Sequence, residues 1–204
     1  MTGLSLLGGA AAVAALELDE ASIGTFLLSR PFVVGPLIGW ARGDVWSGAA
    51  LGAAFEALTL TELPLGGRLD LSASVAAGTA AWLACGVAGI SIEAAFFAGL
   101  AAGWVQARVE RRLRGTRGAL ARGAERALCD GQEPRLGARL AGALTVQAAA
   151  TFAVCAASLA VGAAFLPPTW AALPEFARVG TRSAFFAAPW IGAGGLAASL
   201  GRRS

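Results

Sequence analysis

The chain has 204 residues, of which 56% are hydrophobic and only 14% charged, with a mean hydropathy of +0.65. Soluble domains carry roughly 25% charged residues, so these charges are too few to cover a water-facing surface, and the chain is far too apolar to be disordered. All 16 basic residues are arginine, and the absence of His excludes Ser-His-Asp triads, Cys-His pairs, His-ligated metals and phosphohistidine chemistry within this chain.

The composition therefore predicts an all-α, polytopic integral membrane bundle. A membrane-crossing helix needs about 20 mostly apolar residues. The first such run is Met1 to Leu18. No Lys or Arg precedes it, so it lacks the basic region of a signal peptide and reads as a retained membrane helix. Phe26 to Trp40 follows, broken by Arg30-Pro31 and Gly35-Pro36, and then Val45 to Leu63, with Glu56 inside it. Leu71 to Val109 would be about 58 Å long as one helix, nearly twice a hydrocarbon core of about 30 Å, which predicts either two helices with a tight turn near Gly89–Glu93 or one helix and a steep one.

Residues 108–139 are different in kind. Nine of the 16 arginines crowd there against four acids, which predicts an Arg-rich cytoplasmic loop. No aromatic residue is interleaved for base stacking, so nucleic acid is not the expected partner. Leu140 to Leu166 crosses outward and should end at Pro167-Pro168. Thr169 to Arg182 reads as interfacial on the outer side, with Trp170 at headgroup level. Ser183 to Leu200 returns inward to Arg202 and Arg203. The whole is a single membrane domain of about six or seven segments, with motif-bearing segments in 1–107, the basic loop in 108–139 and the last segments in 140–204. The segment at 24–42 is broken or re-entrant, because Gly/Pro-interrupted backbone survives in a membrane only where it lines a polar cavity.

Glycines recur four residues apart, at Gly35, Gly39 and Gly43, at Gly48 and Gly52, and at Gly99 and Gly103. That spacing serves close helix packing, either inside the bundle or at an oligomer interface. Cys85, Cys129 and Cys155 lack metal-ligand spacing, and neither a metal, a cofactor nor a catalytic residue is expected. Ionisable residues in membrane segments are costly and so point to function. Asp19, Glu20, Arg30, Asp44, Glu56, Asp70 and Glu93 are the candidates, and Glu56 stands out because it lies mid-run with no basic neighbour in sequence.

These residues also form an ordered series. Leu18-Asp19-Glu20 leads through Thr25 to Ser29-Arg30-Pro31, Gly35-Pro36-Leu37-Ile38-Gly39 and Gly43-Asp44. Gly52-Ala53-Ala54-Phe55-Glu56, Leu63-Pro64-Leu65-Gly66-Gly67 and Asp70 follow. The series resembles the membrane-embedded IIC component of the mannose/fructose/sorbose phosphotransferase family. Leu173-Pro174-Glu175 and the Gly-rich final run are similar to that family's later region. The resemblance implies a sugar-translocating permease subunit in a bacterial inner membrane. Its implied partners are a IID-like membrane subunit, IIA and IIB phosphocarrier proteins, a hexose-type sugar and further copies in an oligomer. It implies a sugar site at Asp19, Thr25, Arg30, Glu56 and Asp70. The chain ends at Ser204, where the family usually continues through further hydrophobic segments. The alternative expectation is therefore a truncated IIC-like scaffold or sensor without transport.

Overall fold

A computed structural model of the chain describes residues 3–18, 27–59, 71–133 and 135–201. Among these residues the regular elements are helices: α1 (Gly3–Leu18), α2 (Pro31–Arg42), α3 (Val45–Leu58), α4 (Ala73–Gly86), α5 (Ile92–Cys129), α6 (Leu136–Ala172) and α7 (Glu175–Gly201). The break expected near Gly89–Glu93 falls between α4 and α5, with Gly89 in the left-handed region (φ +83°) and Ser91 capping Ala94 N–H. The outer face carries large apolar side chains, among them Phe32, Trp40, Phe165, Phe176, Trp190 and Ile191. A surface so apolar suits lipid rather than water. The fold is thus the all-α membrane bundle that the composition requires.

Helix α4 stands at the centre. It is apolar all round, every residue from Ser74 to Leu83 is buried, and it packs on α1, α2, α3, α5 and α6. Its small side chains (Ala76, Ala77, Ala80, Ala81) let neighbours approach closely, which is how helices associate where lipid removes any hydrophobic drive. Gly99 and Gly103 of α5 lie against the Ala76 and Ser72 backbone for this reason. Phe55 of α3, Phe96 of α5 and Phe185 of α7 form the aromatic part of the core, with centroids 4.8 and 5.2 Å apart.

Helices α2 and α3 form a hairpin. Pro31 opens α2 at a position where its missing N–H costs nothing. Gly43, at φ +86°, ends α2, and Asp44 caps α3 by accepting from Ser47 N–H at 3.1 Å. The glycine series is the seam of this hairpin. A Cβ on Gly35 or Gly52 would strike the other helix's backbone, at Gly48 O and Pro31 O respectively. The four-residue spacing therefore serves packing inside this chain. With 12 and 14 residues, the two helices are about 18 and 21 Å long and fall short of a hydrocarbon core of about 30 Å.

The Arg-rich segment is largely helical. α5 continues through it to Cys129, because Arg, Ala, Leu and Glu are good helix formers. A Schellman turn closes it: Gly131 (φ +67°) donates to Leu128 O and Gln132 to Ala127 O. α6 likewise runs through Pro167-Pro168 to Ala172 instead of stopping there. Thr169 Oγ1 donates back to the carbonyls of Phe165 and Leu166, the usual local bond of a threonine in a helix. The turn to α7 is closed by Arg178, which donates to Ala171 O and Leu173 O.

Gly52→Val forces a side chain into the Pro31 backbone, so it should destabilise the detergent-solubilised protein by about 3 kcal/mol, the upper end of ordinary overpacking. Gly115→Ala, with open space around the new Cβ, should instead stabilise it by about 0.5–1 kcal/mol. Thermal unfolding of the two variants beside the parent checks the claim, and an unchanged melting temperature for Gly52→Val contradicts it.

Candidate functional site

Contacts along α5 give the depth of each feature. The tip of the α2–α3 hairpin lies at the N-terminal end of α5: Arg42 donates to Gly86 O at 3.1 Å and stacks on Trp82 at 4.8 Å. Trp40 and Trp46 flank this tip and are exposed, as befits a headgroup level. The open end of the hairpin reaches only the depth of Phe96–Gly99, where Phe55 meets Phe96 and Gly99. Arg108, stacked over Trp104 at 3.6 Å, marks the far side. From Ile92 to Arg108 is about 24 Å of helix, and Phe96–Gly99 lies about 6–11 Å along it, so Phe55 meets α5 between the two ends of that stretch.

Arg30 and Glu56 meet at the open end of the hairpin. Arg30 NH1 lies 3.0 Å from Glu56 Oε1, and Glu56 Oε2 accepts from Phe32 N–H at 3.4 Å. Phe32 belongs to the first turn of α2, so the carboxylate also sits at a helix N-terminus, where the macrodipole favours negative charge. Arg30 is 54% exposed and Glu56 24%. The pair is thus accessible at one side, with both side chains able to bond a further polar group. Glu56 has no basic neighbour in sequence, but α2 brings one from 26 residues away.

The other implied site residues, Asp19, Thr25 and Asp70, lie outside the described residues, as does Glu20. Asp44 is the cap of α3. Glu93 opens α5, with Arg182 Nε at 3.9 Å.

A second polar cluster was missed by sequence reading. Glu17, 3% exposed, accepts from Ser72 Oγ at 3.1 Å and from Gln106 Nε2 at 3.1 and 3.2 Å. Gln106 Nε2 also donates to Thr151 Oγ1 at 2.8 Å, and Ser74 Oγ lies 3.4 Å from Ser72 Oγ. One turn further along α5, Gln147 Nε2 donates to Glu110 Oε1 at 2.9 Å. Glu17 hides in sequence because it adjoins the Asp19-Glu20 pair and reads as the end of an apolar run. The available signal was the i, i+4 spacing of Gln106 with Glu110 and of Gln147 with Thr151, which puts each pair on one helix face.

With this geometry in view, comparison with known proteins is decisive. A family model described as the sorbose-specific IIC component of the phosphotransferase system matches residues 4–201. The chain belongs to this family. It is a IIC-type permease component of the mannose-family sugar phosphotransferase system. The solved structure titled "Structure of membrane protein" is similar over 100% of this chain and 81% of that one, with a TM-score of 0.76 and 21% identity, a likeness of fold. No curated protein sequence matches.

Removing either partner of the Arg30–Glu56 pair should leave the other poorly satisfied. A double-mutant cycle with Arg30→Gln and Glu56→Gln, read by thermal unfolding, should give a coupling of about 1 kcal/mol, as for a half-exposed ion pair. Simple additivity of the two substitutions contradicts the pairing.

Proposed function

We propose that the IIC chain binds a hexose-type sugar at the open end of the α2–α3 hairpin, with Arg30 and Glu56 among the groups that bond its hydroxyls. Asp19, Thr25 and Asp70 belong to the same site in this reading. The observation that carries it is the Arg30–Glu56 pair at the open end of a hairpin whose helices are too short to cross the bilayer. The chain leaves that end towards 19–26 on one side and 60–70 on the other, the segments holding the remaining motif residues. Sugars are neutral and rich in hydroxyls, so their binding needs fixed donors and acceptors in a water-excluded place. A guanidinium and a carboxylate side by side supply both.

In this proposal a IID-like subunit completes the translocation unit, and phosphorylation is the work of IIA and IIB carriers at the cytoplasmic face. Transport proceeds by alternating access, one part of the bundle moving against the rest around the site. The hairpin of α5 and α6 beyond Arg108 holds the basic cluster and faces the cytoplasm.

Two measurements test this. In the complex reconstituted with its membrane partner, Glu56→Ala should lower sugar uptake about tenfold or more, equivalent to about 1.4 kcal/mol of lost transition-state binding. Unchanged uptake and affinity would remove Glu56 from the site. For orientation, Cys129 is exposed near the hairpin tip, whereas Cys155 is buried. A membrane-impermeant maleimide should label Cys129 in inside-out vesicles and spare it in intact cells, and labelling in intact cells overturns the assigned side.

A further inference from the structure

Helix α7 rests on the bundle along one narrow stripe. Among its described residues Phe185, Ala188 and Gly192 are the buried ones, and their spacing of three and four puts them on one helix face. The neighbouring faces carry Val179, Phe186, Trp190 and Ile191, all exposed. Phe185 packs on Phe96 of α5 at 5.2 Å. Two turns on, Gly192 rests on the backbone of α3: a Cβ there would strike Ala57 O and come within 3.0 Å of Leu58 Cα. Pro189 lies between these two anchors and has no N–H to donate to Phe185 O, so one bond of the helix ladder is missing there. The part of α7 beyond Pro189 therefore depends on the Gly192 contact for its place against α3.

The backbone that Gly192 touches belongs to the turn of α3 that carries Glu56. Thr59 closes this turn: its N–H donates to Phe55 O and Glu56 O at 3.1 and 3.2 Å, and its hydroxyl to the same two carbonyls at 2.9 and 3.3 Å. The next carbonyl, Ala57 O, faces the Cα–H of Gly192, a contact that recurs where helices approach closely. The end of α3 is thus held from two sides. Gly52 sits against Pro31 O of α2, Ala57 sits against Gly192 of α7, and Glu56 lies between them. The carboxylate has little slack. Its bonds are 3.0 Å to Arg30 and 3.4 Å to Phe32 N–H, and a displacement of about half an ångström takes the longer one out of hydrogen-bonding range.

We propose that Gly192 is a positioning residue of the sugar site: it seats α7 on the last turn of α3 and so holds Glu56 where, together with Arg30, it bonds the sugar. This rests on the transport-site reading above. The test is uptake kinetics in the reconstituted complex, using whichever of D-mannose, D-fructose and L-sorbose the parent takes up fastest. Gly192→Ala should raise KM about tenfold with Vmax within about twofold of the parent, as expected for the loss of one hydrogen bond to a charged group. Gly194→Ala makes the same change of residue two positions on in the same helix, with open space around the new Cβ, and should leave both constants unmoved. Leu159→Ala, a buried apolar truncation in α6, is the structural control: it should lower the melting temperature and leave KM unmoved.

Action through Glu56 has its own readout. In a Glu56→Gln background, Gly192→Ala should raise KM by less than about twofold further, because the carboxylate it positions is gone. If Gly192→Ala does not fold, Ala188→Val, one turn back on the same buried stripe, lifts α7 less and should raise KM about threefold. The inference is overturned if Gly192→Ala, or Ala188→Val in its place, lowers stability like Leu159→Ala without moving KM. It is equally overturned if Gly194→Ala raises KM as much, or if the effect persists undiminished beside Glu56→Gln. The two claims fail separately. Loss of uptake in Glu56→Ala with an unmoved KM in Gly192→Ala removes only the positioning role, whereas unaffected uptake in Glu56→Ala removes the site itself and this inference with it.

Discussion

The structure depends on the close backbone approach of α2 and α3. Gly35, Gly48 and Gly52 leave no room for a side chain between the helices, and the contact is backbone on backbone. Lipid offers no hydrophobic reason for two apolar helices to pair, so dispersion between closely fitted surfaces must do it. That fit makes a stable hairpin out of helices too short to cross the membrane. Its blunt end then falls inside the bundle instead of at the far surface. The Arg30–Glu56 pair follows from this: the two side chains meet because the seam sets α2 and α3 in one register.

The rest of the bundle holds this hairpin. α4, buried on every side, gives it a wall of alanine and glycine. Phe55, Phe96 and Phe185 lock α3 to α5 and α7 at the depth where Glu56 sits. Nearer the basic side, Glu17, Ser72, Gln106 and Thr151 join α1, α4, α5 and α6 through side-chain hydrogen bonds. The molecule is thus apolar and close-packed towards the tip of the α2–α3 hairpin and polar-latched towards its basic end. The polar latch lies where the chain enters and leaves the motif segments. The same two helices, α5 and α6, carry it and the Arg-rich hairpin, so displacement of one would be felt by the other.

Much of this was legible in the sequence, for reasons that are physical. Low charge and high hydropathy give the membrane class directly. The 39-residue run from Leu71 to Val109 had to contain a turn because of its length, and Gly89 with Ser91 marks where. The glycine spacing announced a close helix contact, although only the fold says that both partners are in one chain. Glu56 could be singled out because a lone carboxylate in an apolar run needs a partner. Its identity as Arg30 was hidden by 26 intervening residues. Glu17 escaped because one charge at the end of an apolar run looks like a helix terminus, and its partners arrive from three other helices. The helical character of 108–139 escaped because arginine signals topology more loudly than it signals secondary structure, although it is a good helix former. The prolines at 167 and 168 marked the wrong place for an end, since α6 runs on through them to Ala172.

The central claim is that a short hairpin presents a charged pair to a sugar inside the membrane. A structure of the complex of this IIC chain and its membrane partner, determined with a hexose bound, tests it most directly. The account predicts sugar density at the open end of α2–α3, with its hydroxyls within hydrogen-bonding distance of Arg30 and Glu56. Sugar density elsewhere, with Arg30 and Glu56 still paired and out of its reach, would contradict it.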